Sequence, residues 1–175
     1  IPAGILGFLF EDFLENIFRN TLSVSMFLIL GSILMFLAEY FIKHTSQIKD
    51  ILELDEKKSF MIGIFQSLAL FPGVSRSGAT ISGGMFMGLD REKSARFSFL
   101  LSIPIVLGAG LYKLWGSANE FSSVGLIPLI LGFISSFLTG ILVIKFLLKF
   151  LNKNSLKVFI LYRILLAIVL LGFFV

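Results

Sequence analysis

The chain has 175 residues, 57% of them hydrophobic and 15% charged, with a mean hydropathy of +0.97; soluble domains are apolar in nearer one half of positions and charged in about a quarter. A water-soluble fold is excluded, and apolar runs of roughly 20 residues with no strand-like alternation predict an all-α polytopic membrane protein. No cysteine is present and His44 is the sole histidine, which excludes a disulfide framework, thiolate chemistry and a histidine or cysteine metal cage. The net charge of +4 sits mostly in loops and suits anionic lipid headgroups rather than nucleic acid.

The chain opens on Ile1-Pro2-Ala3-Gly4, with no charged flank ahead of an apolar run. This reads as a fragment cut inside a helix and not as a signal peptide. Residues 1 to about 18 form the second half of that helix, emerging at Glu11, Asp12 and Glu15, and a full span follows over about 22–42. Residues 43–58 are a polar loop in which His44 is solvated. Two short apolar segments come next, Ser59 to Leu70 and Thr80 to Leu89. At about 10 to 12 residues each they are too short to span. Pro72, Gly73, Gly78, Gly83 and Gly84 interrupt them, which predicts a re-entrant segment over 59–89, two half-helices meeting at membrane depth around a protein cavity. Spans at about 94–115, 125–148 and 156–175 complete a single membrane domain.

Charge placement supports the re-entrant reading. If the broken pair returns to its own side, eleven basic residues from Lys43 to Lys157 fall on one face, leaving Arg19 and Lys113 on the other. The rich face is then cytoplasmic, with the loop at about 116–123 and the C-terminus outside. Ile1-Pro2 followed by Ile5-Leu6-Gly7-Phe8 is echoed by Ile127-Pro128 followed by Ile130-Leu131-Gly132-Phe133. In this topology those helices run in opposite directions, as in an inverted repeat; a second register at Ile103-Pro104 would make the repeat parallel instead.

The segment Pro72-Gly73-Val74-Ser75-Arg76-Ser77-Gly78-Ala79-Thr80 carries the polar chemistry. A charge at bilayer depth costs about 3 to over 10 kcal/mol, so it normally faces a protected cavity and marks function. A pyrophosphate is held by converging donors, helix N-termini and a guanidinium. Here Arg76 is the clamp, and Ser75, Ser77 and Thr80 offer hydroxyls. Gly73 and Gly78 allow close backbone approach, and Gln66, one turn before the break, can orient but cannot take a proton. The second half-helix is expected to begin near Ala79 or Thr80. No base is visible within the motif. Two other readings fit the same residues: a cytosolic turn with a solvated arginine, and a broken helix in an anion carrier.

Elsewhere, Arg163 beside Tyr162 is either a second anion contact or, the favoured reading, a structural lock to a carbonyl or carboxylate on a neighbouring helix. Glu39 reads as interfacial and Asp90-Arg91-Glu92-Lys93 as a helix start. The 21 phenylalanines mainly meet lipid or pack, and Gly108, Ala109, Gly110, Gly132, Ser135 and Ser136 are expected to permit close helix packing.

The run Phe71-Pro72-Gly73-Val74-Ser75-Arg76-Ser77-Gly78-Ala79-Thr80-Ile81-Ser82-Gly83-Gly84, continuing through Met87-Gly88 to Ser94-Ala95-Arg96-Phe97-Ser98-Phe99-Leu100-Leu101-Ser102-Ile103-Pro104, resembles the second signature of the undecaprenyl-diphosphate phosphatases of the bacitracin-resistance type. The opening Ile-Pro-Ala-Gly run, Gln66 and Tyr162-Arg163 are similar to that family too. The resemblance implies an inverted-repeat helical bundle in the bacterial inner membrane, with two re-entrant helix pairs meeting in a pocket open to the periplasm. It implies hydrolysis of a C55 polyprenyl diphosphate, recycling the lipid carrier for peptidoglycan synthesis and giving bacitracin resistance. A carrier or flippase for polyprenyl phosphate is the alternative, and homo-oligomerisation is a further expectation. Carried over, catalytic roles fall to Arg76, Ser75 and Ser77, and substrate binding to Gly73, Gly78, Thr80 and Gln66. The family's other signature, a glutamate-rich helix followed by a Ser-Ser-Thr-Gly-His loop, has no match here. That signature would supply the histidine and the ligands of a divalent metal, Mg or Ca, so no metal ligand is assigned in this chain, His44 does not take the family histidine's role, and the chain alone is expected to be inactive.

Overall fold

A computed structural model describes residues 2–42, 48, 50–116 and 125–174. His44, Lys43, Lys49 and residues 117–124 lie outside the described residues, as do the side chains of Glu11, Asp12 and Glu15. The described elements are α-helices and two short 3-10 turns, with no strand among them: α1 Pro2–Phe18, α2 Thr21–Phe41, α3 Glu56–Ser67, α4 Arg76–Phe86, α5 Arg91–Gly116, α6 Leu126–Lys153 and α7 Lys157–Phe174. Helices α2, α5, α6 and α7 are long and apolar enough to cross a membrane. The protein is an all-α polytopic membrane protein.

The four long helices match the expected spans within a few residues. The two short segments are helices of 12 and 11 residues that pack on one another. At about 1.5 Å per residue neither covers the roughly 30 Å of a hydrocarbon core. Boundaries differ by three to five residues in places: α3 begins at Glu56 and not Ser59, α6 runs to Lys153 and not about 148, and α4 begins at Arg76, not near Ala79 or Thr80. The Ser75 hydroxyl accepts from the Gly78 N–H at 3.2 Å, capping the helix and drawing Arg76, Ser77 and Gly78 into its first turn. The far end closes in a Schellman arrangement, with Leu89 N–H on Gly84 O, Gly88 N–H on Met85 O and Gly88 at φ 100°.

Helix α2 is the spine. It packs along α7 and against α4, while α4 also packs on α3 and α5, and α1 on α3. The buried core joins Met35, Ala38 and Ile42 of α2 to Ile81 and Met85 of α4, Ala95 of α5, Leu151 at the end of α6, and Leu156 and Ile160 about the start of α7. Most of α5 and α6 lies outside this core, with large apolar side chains such as Leu107, Trp115, Phe133 and Leu142 exposed as lipid-facing residues are. Gly108, Gly110 and Gly132 have no neighbour within 4 Å of where a Cβ would stand, and Ala109, Ser135 and Ser136 are exposed. The expectation that these small residues permit close packing is therefore corrected within this chain. Close approach occurs at other glycines: a Cβ on Gly83 would stand 2.8 Å from Phe65, and one on Gly84 2.8 Å from Ser94.

One polar tie joins three elements at the C-terminal end of α2. Glu39 is buried; its Oε1 accepts from Arg91 Nε at 2.8 Å and from the Leu156 amide at 2.7 Å, and its Oε2 from Arg91 Nη2 at 2.5 Å. The bidentate fork holds α2, α5 and the α6–α7 turn in register. Asp90 accepts from the Lys93 amide at 2.8 Å and pairs with the Lys93 ammonium, making the expected helix start. Glu39→Leu leaves both Arg91 and the Leu156 amide without their acceptor. Because Arg91 is partly exposed, we expect a loss of about 2–3 kcal/mol, read as a lower unfolding temperature in detergent, with Glu39→Gln losing less.

Candidate active site

The link between α3 and α4 is built by short-range chemistry. After the 3-10 turn Leu68–Leu70, the Val74 N–H reaches Phe71 O at 3.2 Å and Gly73 has φ 107°. Proline then glycine at the two central positions, the second with positive φ, is the pattern of a type II turn. Phe71 anchors this turn between Phe27 and Phe18, with ring centroids 4.9 and 5.7 Å away. Ser75, also at positive φ (76°), is the one non-glycine in that region among the described residues. Such a backbone costs of order 1–3 kcal/mol and persists only when its surroundings impose it.

Arg163 of α7 supplies that surrounding. Its Nη2 donates to Gly73 O at 2.7 Å, Val74 O at 2.9 Å and Leu28 O at 3.2 Å, and its Nε to Ser32 Oγ at 3.3 Å. The Ser32 hydroxyl donates its own proton to Leu28 O at 2.7 Å, so it accepts from Arg163. The favoured reading of Arg163 as a lock onto backbone carbonyls is thus what the structure contains, with no carboxylate involved.

Ser75, Ser77 and Gly78 open onto a cavity of about 210 Å³, whose polar side also includes Tyr162 and Arg163. The remaining wall is apolar: Met35, Ile81, Leu147, Leu151, Leu156 and Phe159. The two serine hydroxyls lie 3.4 Å apart. The N–H groups of Arg76 and Ser77, in the first turn of α4, have no hydrogen-bond acceptor among the described residues, as the leading amides of a helix do not. Two hydroxyls, two free amides and the positive end of a helix thus gather beside a buried guanidinium, an arrangement that attracts an anion.

The other expected site residues are placed differently. Arg76 is half-buried in the first turn of α4, outside the residues lining the cavity, and its guanidinium makes no hydrogen bond or ion pair among the described residues. The Thr80 hydroxyl is buried between Arg76 O, Ser77 O and Ser98 Oγ, tying α4 to α5. Gln66 is buried in α3 with its Oε1 unpartnered, and it does not line the cavity. Gly73 reaches the site through its carbonyl, which Arg163 holds. The apolar wall escaped sequence reasoning, because leucines and phenylalanines of a site look like those that meet lipid. Arg163 did carry a signal, a charge within a span.

The sequence profile described as Bacitracin resistance protein BacA matches residues 1–169. The chain belongs to the BacA family. It is 46% identical over 175 residues to the undecaprenyl-diphosphatase of Aquifex aeolicus (strain VF5), covering 99% of this chain and 68% of that protein. It is 42% identical over 174 residues to the undecaprenyl-diphosphatase of Bacillus velezensis (strain DSM 23117 / BGSC 10A6 / LMG 26770 / FZB42), covering 97% and 62%. With the undecaprenyl-diphosphatase of Persephonella marina (strain DSM 14350 / EX-H1) identity is 41% over 174 residues, covering 99% and 68%. The chain thus spans about two-thirds of the length of the curated relatives it matches. The divalent metal implied by the resemblance finds no ligand set here: among the described residues no three histidine, cysteine or acidic side chains converge, and Glu39 is committed to Arg91 and Leu156. The polar groups that the described residues bring to this cavity are hydroxyl and guanidinium groups, beside the N-terminal amides of α4.

At Gly73 the turn and the lock meet. A Cβ there would stand 2.6 Å from Val24 O, on a backbone at φ 107°. Gly73→Ala should cost at least about 2 kcal/mol in thermal unfolding, while Gly108→Ala, in open space, should be neutral or slightly stabilising.

Proposed function

We propose that the α4 N-terminus binds the diphosphate of undecaprenyl diphosphate, and that the full-length protein hydrolyses it to undecaprenyl phosphate and phosphate. The observation that carries this reading is the juxtaposition of the Ser75 and Ser77 hydroxyls with an apolar wall in one cavity, at the N-terminal end of α4. A volume of about 210 Å³ equals roughly seven water molecules at about 30 Å³ each. That suits a diphosphate head and a few carbons, so a C55 tail must run out toward lipid. The names of the relatives, undecaprenyl-diphosphatase, support the same substrate and reaction.

Water adds to the terminal phosphorus and gives up one proton to solvent, the bridging P–O bond breaks, and undecaprenyl phosphate leaves with the bond's electron pair. Charge grows on the phosphoryl and bridging oxygens during this step. Preorganised donors aimed at such oxygens lower the barrier. The Ser75 and Ser77 hydroxyls and the α4 amides would hold the oxygens, and Arg76, whose guanidinium has no partner among the described residues, would neutralise them. Gly78 lets the phosphate approach the helix end, while Gly73, Thr80 and Gln66 shape the surrounding backbone. A divalent ion, Mg or Ca, would be held by residues other than those described. In this reading α3 and α4 form a re-entrant pair, one of two related by an inverted repeat, and the pocket opens to the periplasmic side of the bacterial inner membrane.

The test is phosphate release from undecaprenyl diphosphate by the purified full-length protein in detergent, with and without EDTA. We expect release that EDTA abolishes, and a fall in kcat of about 100-fold or more in Arg76→Ala, not restored by Arg76→Lys. No release from folded wild type, with substrate moved across vesicles instead, would replace the hydrolase with a carrier. Ser75→Ala and Ser77→Ala should each fall by roughly 10- to 1000-fold if their hydroxyls touch the phosphoryl group.

A further inference from the structure

We propose that Arg163 is a positioning residue: by holding the carbonyls of Gly73 and Val74 against α2, it keeps Ser75 at positive φ and thereby aims the Ser75 and Ser77 hydroxyls and the first amides of α4 into the cavity. The inference rests on the reading of this site as a diphosphate site. It assigns a function to a residue 87 positions beyond Arg76 in the chain, on another helix.

Four observations carry it. The lock uses the two carbonyls immediately before Ser75, at 2.7 and 2.9 Å, so its geometry is transmitted through a single peptide unit to the strained residue. Arg163 is buried, 9% exposed, within a span that holds no other charge between Val158 and Phe174, and its acceptors among the described residues are three carbonyls and the Ser32 hydroxyl, with no carboxylate. Its bonds to Leu28 O and Ser32 Oγ fix the guanidinium to α2, so the loop is referenced to the spine of the bundle and not to a flexible neighbour. Finally, α2 has a glycine where the two meet: a Cβ on Gly31 would stand 2.5 Å from Arg163 Nη2 and 2.5 Å from Val74 O. Gly31 leaves the room that the lock occupies.

A lysine cannot replace this. Its ammonium has three donors, but it lacks the planar fork that reaches Ser32 through Nε while Nη2 reaches the loop. Misplacing a catalytic geometry by about 1 Å can cost 100-fold in rate. Arg163→Lys and Gly31→Ala approach the same lock from opposite sides, the first altering the donor and the second filling its space while leaving the cation in place. Each should lower kcat per folded molecule by about 10- to 100-fold, with KM changed by less than about 3-fold. The double variant should be no worse than the poorer single one, because both break one lock. Ser32→Ala, which removes one of four acceptors, should lose only about 2- to 5-fold.

The experiment measures undecaprenyl diphosphate hydrolysis by the four full-length variants, each normalised to the monodisperse fraction. A second readout does not need turnover: Ser77→Cys, the sole cysteine within these 175 residues and placed in a full-length background with any other cysteine replaced by serine, is labelled by a small thiol reagent with and without Gly31→Ala. The expected result is a labelling rate altered at least about 5-fold, together with the non-additive kcat losses. Folded Gly31→Ala with wild-type kcat and an unchanged labelling rate at position 77 would overturn the inference, as would kcat losses that multiply in the double variant. Wild type that releases no phosphate would remove the hydrolase reading alone, and the labelling would still decide the positioning role. If Arg163→Lys fails to fold, Gly31→Ala and Ser32→Ala decide it.

Discussion

A bend in an apolar helical chain strips donors from its own carbonyls, and in a membrane no water replaces them. Between α3 and α4 the bend leaves the carbonyls of Gly73 and Val74 without helical donors, and Arg163 supplies them. Neither partner would be tolerable alone: an unsatisfied buried carbonyl costs about 1–3 kcal/mol, and an uncompensated buried guanidinium several. Brought together they cancel, and the rest of the site depends on this exchange. Because the guanidinium is also tied to Leu28 and Ser32, the same bonds that satisfy the turn dock α7 and α4 on α2.

From that lock the local geometry follows in sequence. The Pro72-Gly73 turn reverses the chain, the Phe18, Phe27 and Phe71 rings hold its outer side, and Ser75 takes up the remaining angle at positive φ. Its hydroxyl caps α4 and, with Ser77, faces the cavity. One backbone distortion thus produces an anion-attracting helix end and the hydroxyls beside it. The opposite wall, from α2, α4, α6 and α7, is apolar, so the cavity is amphiphilic.

A second tie lies further along α2. Glu39 is seven residues beyond Ser32, about 10 Å along a helix, and binds Arg91 and the Leu156 amide. The two ties bracket the stretch of α2 that bears Met35, the residue packed against Gly78. One tie faces the α3–α4 loop and the other holds α2, α5 and the α6–α7 turn together. Outside this frame, α5 and α6 expose most of their length, and a Cβ on their glycines would meet nothing within 4 Å among the described residues.

Much of this was legible in the amino-acid order. Helix lengths follow from apolar run length, and the interruption follows from Pro72 and Gly73, whose backbones cannot continue a helix in the ordinary way. The polar character of Ser75, Arg76 and Ser77 is also legible, because a guanidinium and hydroxyls stand out in a lipid-grade stretch. The start of α4 was misjudged by three or four residues, since whether a serine caps a helix depends on a local bond that the residue order leaves open. Only the tertiary structure decided that Ser75, Ser77 and Gly78 share a cavity with Arg163 while Arg76 lies outside its lining, that the Thr80 hydroxyl serves α5, and that Gly31 rather than Gly108 or Gly132 marks a close approach. The physical reason is that residue order determines which groups must find partners, whereas the partners themselves are chosen by packing between helices far apart in the chain.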